Sequence, residues 1–184
     1  MHPAVLNLVL TLGLMQVANF FKIDKEENVN MIRIAYGVMQ AISFAALLVI
    51  WRKVVAINDR SPLVFVESKN PLDRTETETV RMTVRDYDVQ KILETARSQA
   101  IAIAIMGFMH YKWGYIRPLF LQAVLGLKGM YQQNLVKVHL LGEPATGGLA
   151  RPWKTASPFG ETVKPTTEKA LKAEQRKAAK KKGL

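Results

Sequence analysis

Hydrophobic and polar positions alternate in long blocks along this chain. Pro3 to Phe21 contains nineteen residues without a charge, and Ile34 to Trp51 contains eighteen. A membrane-spanning helix needs roughly 17–25 predominantly apolar residues at 1.5 Å rise per residue, so both stretches predict spans. A third stretch, Ser98 to Tyr111, is uncharged for fourteen residues before Lys112 interrupts it. Gly114 and the Arg117-Pro118 step then break the pattern, and Pro118 to Leu127 adds ten uncharged residues. Ten residues are too few to span, which predicts a re-entrant or interfacial helix after the third hydrophobic one; irregular backbone at that depth needs protein or water around it. The competing arrangement is a third simple span followed by a lumenal interfacial helix and a lumenal tail.

Between the second and third blocks the period changes. Leu63 to Val66 is a short β-rich run after Pro62, and Val80, Met82 and Val84 alternate with Thr79, Arg81, Thr83 and Arg85. That two-residue period is the mark of a half-buried strand. Val136, Val138 and Leu140 alternate with Lys137 and His139 in the same way, predicting a third strand over Leu135 to Leu141. An isolated hairpin is marginal in water, so the three are expected to form one sheet.

The fold class predicted is an α-helical multi-pass membrane protein. It has about three hydrophobic helices plus a re-entrant or interfacial helix, a small cytosolic β-sheet cap and a disordered basic tail. The organisation expected is a membrane hairpin at 1–51, a β-containing region at 52–97 and the third membrane helix with its return at 98–134. A strand and turn-rich segment at 135–160 joins the cap, and the tail runs over 161–184. Arg52 and Lys53 follow Trp51 at once, whereas the connector Lys22 to Arg33 is balanced in charge. The positive-inside rule therefore puts the region after the second helix in the cytosol, and the expected pairing of the 135–141 strand with it brings the C-terminus to the same side.

The net charge is +11 among 184 residues. From Lys164 onward eight Lys or Arg face only Glu168 and Glu174, a local excess of +6. Lys169, Lys172, Arg176, Lys177, Lys180, Lys181 and Lys182 are the contacts that such a run would offer to ribosomal RNA or anionic lipid. With no cysteine in the chain, disulfides, thiolate metal sites and a cysteine nucleophile are excluded.

Candidate chemistry is sparse. Asp86 and Asp88 flank Tyr87 at strand spacing beside Arg85 and read as an exposed strand end. His110 and His139 have no ligand spacing around them, so no metal or cofactor is expected and no enzymatic role is assigned. The glycines of GEPATGG lack the Gly-Lys-Ser/Thr ending of a phosphate loop and read as a turn-rich connector. What remains is a polar stripe within the hydrophobic helices: Arg33, Tyr36, Gln40 and Ser43 share one helical face, as do Gln99, Ala102, Met106 and His110. Two readings are open, interhelical hydrogen bonding and a hydrophilic groove lined by Gln40, Gln99, His110, Lys112 and Arg117.

The blocks TVRDYD (Thr83 to Asp88), MGFMH (Met106 to His110), PLFLQ (Pro118 to Gln122), VKVHLLG (Val136 to Gly142), PATG (Pro144 to Gly147) and RPW (Arg151 to Trp153) occur in this order. Together they resemble a fungal endoplasmic-reticulum membrane family first described for inorganic phosphate transport, and regarded as the third component of the SRP-independent (SND) targeting route. The resemblance implies an endoplasmic-reticulum membrane address. It also implies, as partners, the Sec61 translocon, other SND components and nascent membrane proteins. Phosphate transport, directly or as an accessory to transporter maturation, is the alternative that the same resemblance carries.

Overall fold

The computed structural model describes residues 3–68, 77–153, 156–157, 160–161 and 163–165. Among the described residues five α-helices carry most of the structure: α1 (Pro3–Phe20), α2 (Glu26–Ile57), α3 (Val84–Trp113), α4 (Arg117–Gln132) and α5 (Asn134–His139). Helices α2 and α3, at 32 and 30 residues, are long and apolar enough to cross a membrane, and α1 is a shorter apolar helix.

Two clusters of buried side chains lie toward opposite ends of the helices. At one end Leu47, Ile50 and Val54 of α2 meet Tyr87 and Ile92 of α3, Leu135 and Val136 of α5, Phe65 and Trp153. At the other end Ala18, Ile23, Ile32, Met106, Ile116 and Leu119 pack together, joining the α1–α2 connector to the turn between α3 and α4. The two connectors are also clasped by an ion pair, Arg117 to Asp24 at 2.9 Å. Lys128 near the end of α4 donates to Asn7 near the start of α1 at 2.6 Å, so α1 and α4 run antiparallel.

The breaks lie where the sequence places them. Gly114 caps α3 in the left-handed conformation (φ 67°), and α4 begins at Arg117 with Pro118 in its first turn, where the missing N–H costs nothing. The helices extend beyond their hydrophobic stretches, however. α2 starts at Glu26, with Glu26 and Glu27 favourably placed on the helix dipole, and the true connector shrinks to Phe21–Lys25.

The sheet meets expectation in two strands and departs from it in the third. β1 (Pro62–Ser68) and β2 (Thr77–Thr83) pair antiparallel, Phe65 opposite Val80 and Leu63 opposite Met82. Val80 and Met82 pack on the cap cluster as the alternation requires. Val84, by contrast, is the first residue of α3. Thr83 caps that helix, its hydroxyl accepting from the Asp86 N–H at 3.1 Å. Residues 135–139 are not a strand but α5, which presents adjacent Leu135 and Val136 to the core. A seven-residue alternation does not distinguish a strand from a short helix with a wide apolar face, and burial against α2 decides it. Two short strands, β3 (Ala156–Ser157) and β4 (Gly160–Glu161), pair with each other. The third strand of the cap sheet is β5 (Val163–Pro165), antiparallel to β1, giving the order β2-β1-β5.

The register makes a prediction. Met82→Asp places a carboxylate against the cap cluster and is expected to destabilise by about 2 kcal/mol, within the usual range for such changes. Thr83→Asp, one residue on, replaces one good N-cap by another and is expected to be neutral. Thermal unfolding of the two purified variants in detergent checks both; equal midpoints would contradict this register.

Candidate functional site

A cleft of about 580 Å³ opens between α2, α3 and α4, at a level between the two buried clusters. Gln40 and Ser43 line it from α2, Thr95, Ser98 and Gln99 from α3, Gln122, Gly126 and Gly129 from α4, and Gln133 from the link to α5. Met39 and Met130 supply apolar surface. Gln99 ties two walls together: its amide donates to Gln40 Oε1 at 2.7 Å, and its own oxygen accepts from the Ser43 hydroxyl at 3.0 Å. Both walls of that chain of bonds are therefore oriented before anything binds. Among the described residues, Gln122 and Gln133 have no such partner, leaving two carboxamides with donors and acceptors to offer.

Gly129 leaves open space on the α4 side, whereas the room left by Gly126 is taken by the tip of Met39. A Cβ on Gly126 would lie 2.6 Å from Met39 Cε, whereas one on Gly129 would meet nothing within 4 Å.

Of the five groove residues expected from sequence, Gln40 and Gln99 line the cleft, and the other three do not. His110 sits near the far end of α3, where Arg33 Nε donates to its Nε2 at 2.9 Å and its Nδ1 lies 3.1 Å from the Tyr115 carbonyl oxygen. Arg117 is spent on Asp24. Lys112 is exposed beside the aromatic group of Phe108, Trp113 and Tyr115. The polar stripe of α2 is thus divided: Arg33 serves the far end, Gln40 and Ser43 the cleft. The tail residues Lys169, Lys172, Arg176, Lys177, Lys180, Lys181 and Lys182 lie outside the described residues.

A second polar centre was not legible as such. Asp88 lies within α3 rather than on a strand, and it is 2% exposed. Arg151 Nη2 donates to its Oδ2 at 2.7 Å, Arg151 Nε to its Oδ1 at 2.6 Å, and His139 Nε2 lies 2.9 Å from Oδ2. Next to it the Trp153 N–H donates to the Tyr87 hydroxyl at 2.7 Å. Phe65, Tyr87 and Trp153 pack edge to face at 5.7 and 5.6 Å. Burial pushes the Tyr87 hydroxyl up to about 12 despite the bond from Trp153. This centre fastens the segment after α5 to the start of α3. A smaller pocket of about 200 Å³ adjoins it, bordered by Arg85, Asp59 and Val54. Among the described residues no group of His, Asp and Glu is arranged to hold a metal ion.

The family model described as "Phosphate transport (Pho88)" matches residues 1–183. The Saccharomyces cerevisiae protein named SRP-independent targeting protein 3 is 34% identical over 179 residues, covering 96% of this chain and 95% of that protein. A Schizosaccharomyces pombe homolog of that name is 28% identical over 156 residues, 84% of this chain and 80% of its own. No solved structure matches the chain. With one family model spanning nearly every residue and a relative of more than 30% identity along almost its whole length, the chain belongs to the Pho88 family.

Proposed function

We propose that this protein is an endoplasmic-reticulum membrane factor for SRP-independent targeting and insertion of membrane proteins, working with the Sec61 translocon and other SND components. The observation that carries the reading is the carboxamide cleft, set into helices of membrane-spanning length and apolarity. In this reading the cap and C-terminus face the cytosol, α1, α2 and α3 cross the bilayer, and α4 returns through it beside α2. The basic tail then meets ribosomal RNA or anionic headgroups.

The energetics favour such a use. An unpaired peptide group in hydrocarbon costs several kcal/mol, and a charged side chain at the helix centre about 2.5–3.5 kcal/mol on insertion-based scales. A hydrogen bond from a preoriented carboxamide returns about 0.5–1.5 kcal/mol. Two or three bonds, from the oriented Gln99 and from the unengaged carboxamides of Gln122 and Gln133, therefore offset much of the cost of moving a client's polar flank past the headgroups. No cofactor enters this scheme.

The family description favours a second reading, phosphate transport or support of a phosphate transporter. A phosphate anion calls for cations, and among the described residues no Lys or Arg lines the cleft. Uptake of labelled phosphate by proteoliposomes holding only this protein is the result that would favour that reading.

The test of the first reading fills the cleft. Gly129→Leu projects a side chain into space that meets no neighbour within 4 Å of its Cβ, so folding is expected to be unaffected. Insertion of SRP-independent clients into microsomes carrying this variant is expected to fall about tenfold at equal protein abundance. Unchanged insertion would remove the cleft from the mechanism.

A further inference from the structure

The chain carries a net charge of +11, yet among the described residues the only charged one lining the cleft is Glu94. We propose that the cleft selects its occupant by charge, taking a polypeptide whose apolar run is flanked by Lys or Arg, with Glu94 as the counter-charge. This rests on the reading of the cleft as a client site and names the class of client.

Three features support it. Glu94 stands on a ridge, because it also borders a shallow depression on the outer side of α3 together with Asp86, Gln90, Leu93 and Arg97. It is nearer the cap than Gln99, five residues or about 7.5 Å along the helix axis. Along α3 a segment entering from the cap side thus meets the carboxylate before the Gln99 carboxamide, the order of a basic flank followed by a less polar run.

The carboxylate is held in place without being exhausted. Lys91 Nζ lies 2.7 Å from Oε2 and Gln90 Nε2 donates to Oε1 at 3.0 Å, both from the preceding turn. An ionised carboxylate has about four acceptor positions, so it has capacity for an incoming ammonium or guanidinium. The Glu94 side chain is 49% exposed and Lys91 only 18%; Lys91 packs over the Tyr87 ring and does not line the cleft. The carboxamides of the cleft donate and accept equally, which suits peptide N–H and C=O groups and gives no preference for an anion.

The test uses the full-length protein in microsomal membranes, with a photo-crosslinking residue at Ser98. The probes are single-span clients of one apolar sequence flanked by three Lys, three Gln or three Glu. Capture is expected in the order Lys, Gln, Glu. Glu94→Gln is expected to lower capture of the Lys-flanked client about fivefold, the size of a good exposed ion pair, to the level of the Gln-flanked one. Lys91→Gln, which removes the internal competitor, is expected to hold or raise it, and Glu94→Lys to reverse the order. Capture that ignores flank charge, in the native protein and in Glu94→Gln alike, overturns the proposal, as do Ser98 adducts on lipid in place of client. Gly129→Leu separates the two levels of inference. If it blocks all three clients while Glu94→Gln alters none, charge selection is lost and the cleft stands; if it blocks none, the client site itself is lost.

Discussion

Asp88→Ala is expected to destabilise the protein by about 3–5 kcal/mol, because it removes a buried carboxylate and leaves the Arg151 guanidinium without the group it pairs with. Such a loss is a large share of the stability of a domain this size. The effect is one of uncompensated charge, not of volume, and that distinction can be measured. Replacing both partners, Asp88→Leu with Arg151→Met, is expected to recover most of the loss, since well-packed apolar side chains often match a buried ion pair. Unfolding midpoints in detergent, read for the single and double variants, decide the matter. A single variant within about 1 kcal/mol of the native protein would mean that Arg151 reaches solvent when Asp88 is gone.

Tyr87→Ala is expected to cost a similar amount, about 3–5 kcal/mol, for a different reason. The ring is 2% exposed and fills the space between Phe65 and Trp153, so its removal leaves a cavity and two broken aromatic contacts. Tyr87→Phe keeps the ring and loses only the hydroxyl, leaving the Trp153 N–H unpaired at a cost of about 1–3 kcal/mol. The hydroxyl also carries a pH signature. Its folded pKa is raised to about 12 from the ordinary 10.0, chiefly by burial. The folded protein therefore holds this proton more tightly than the unfolded chain. The stability so contributed is intact below pH 10 and is lost as pH rises from there toward about 12. An alkaline unfolding profile is expected to show this step in the native protein and to lack it in Tyr87→Phe. Identical profiles would place the titration elsewhere.

What could be read from sequence was whatever is local and periodic. Uncharged length located α1 and the bodies of α2 and α3, and Gly114 with Pro118 located the turn into α4, because span length and backbone conformation depend on neighbours along the chain. A β-rich run after Pro62 located β1, and alternation located β2 with Val80 and Met82 on its buried face. The same rule failed at residues 135–139, where the alternation was too short to exclude a helix and packing against Val54 and Trp153 settled the matter. The start of α3 was signalled by Thr83 and Asp86 at capping spacing, a signal hidden by the strand that ends on the same threonine.

The Asp88 centre draws on residues 51 and 63 positions away, and nothing local in the sequence marks such a meeting. The cleft was half legible. Gln40 and Gln99 stood out as amides on otherwise apolar faces, but Gln122 and Gln133 owe their place to how α4 lies across α2 and α3. Lys112 and Arg117 drew attention because charge beside apolar sequence is costly. One is exposed and the other is paired across the connectors, at the end of the helices away from the cap.

The pairing of β5 with β1 has a consequence for where the last part of the chain is rooted. Since the two run antiparallel and Pro165 stands opposite Phe65, the polypeptide leaves the sheet heading toward Pro62 and the end of α2, not toward the Ser68 tip. The last residue of that strand, Pro165, is therefore directed toward the end of the sheet from which β1 sets out, a few residues after Arg60. The cap sheet thus joins the two ends of the polar part of the chain: the strand that follows α2 and the strand reached about a hundred residues later lie side by side, so pulling on either one loads the other.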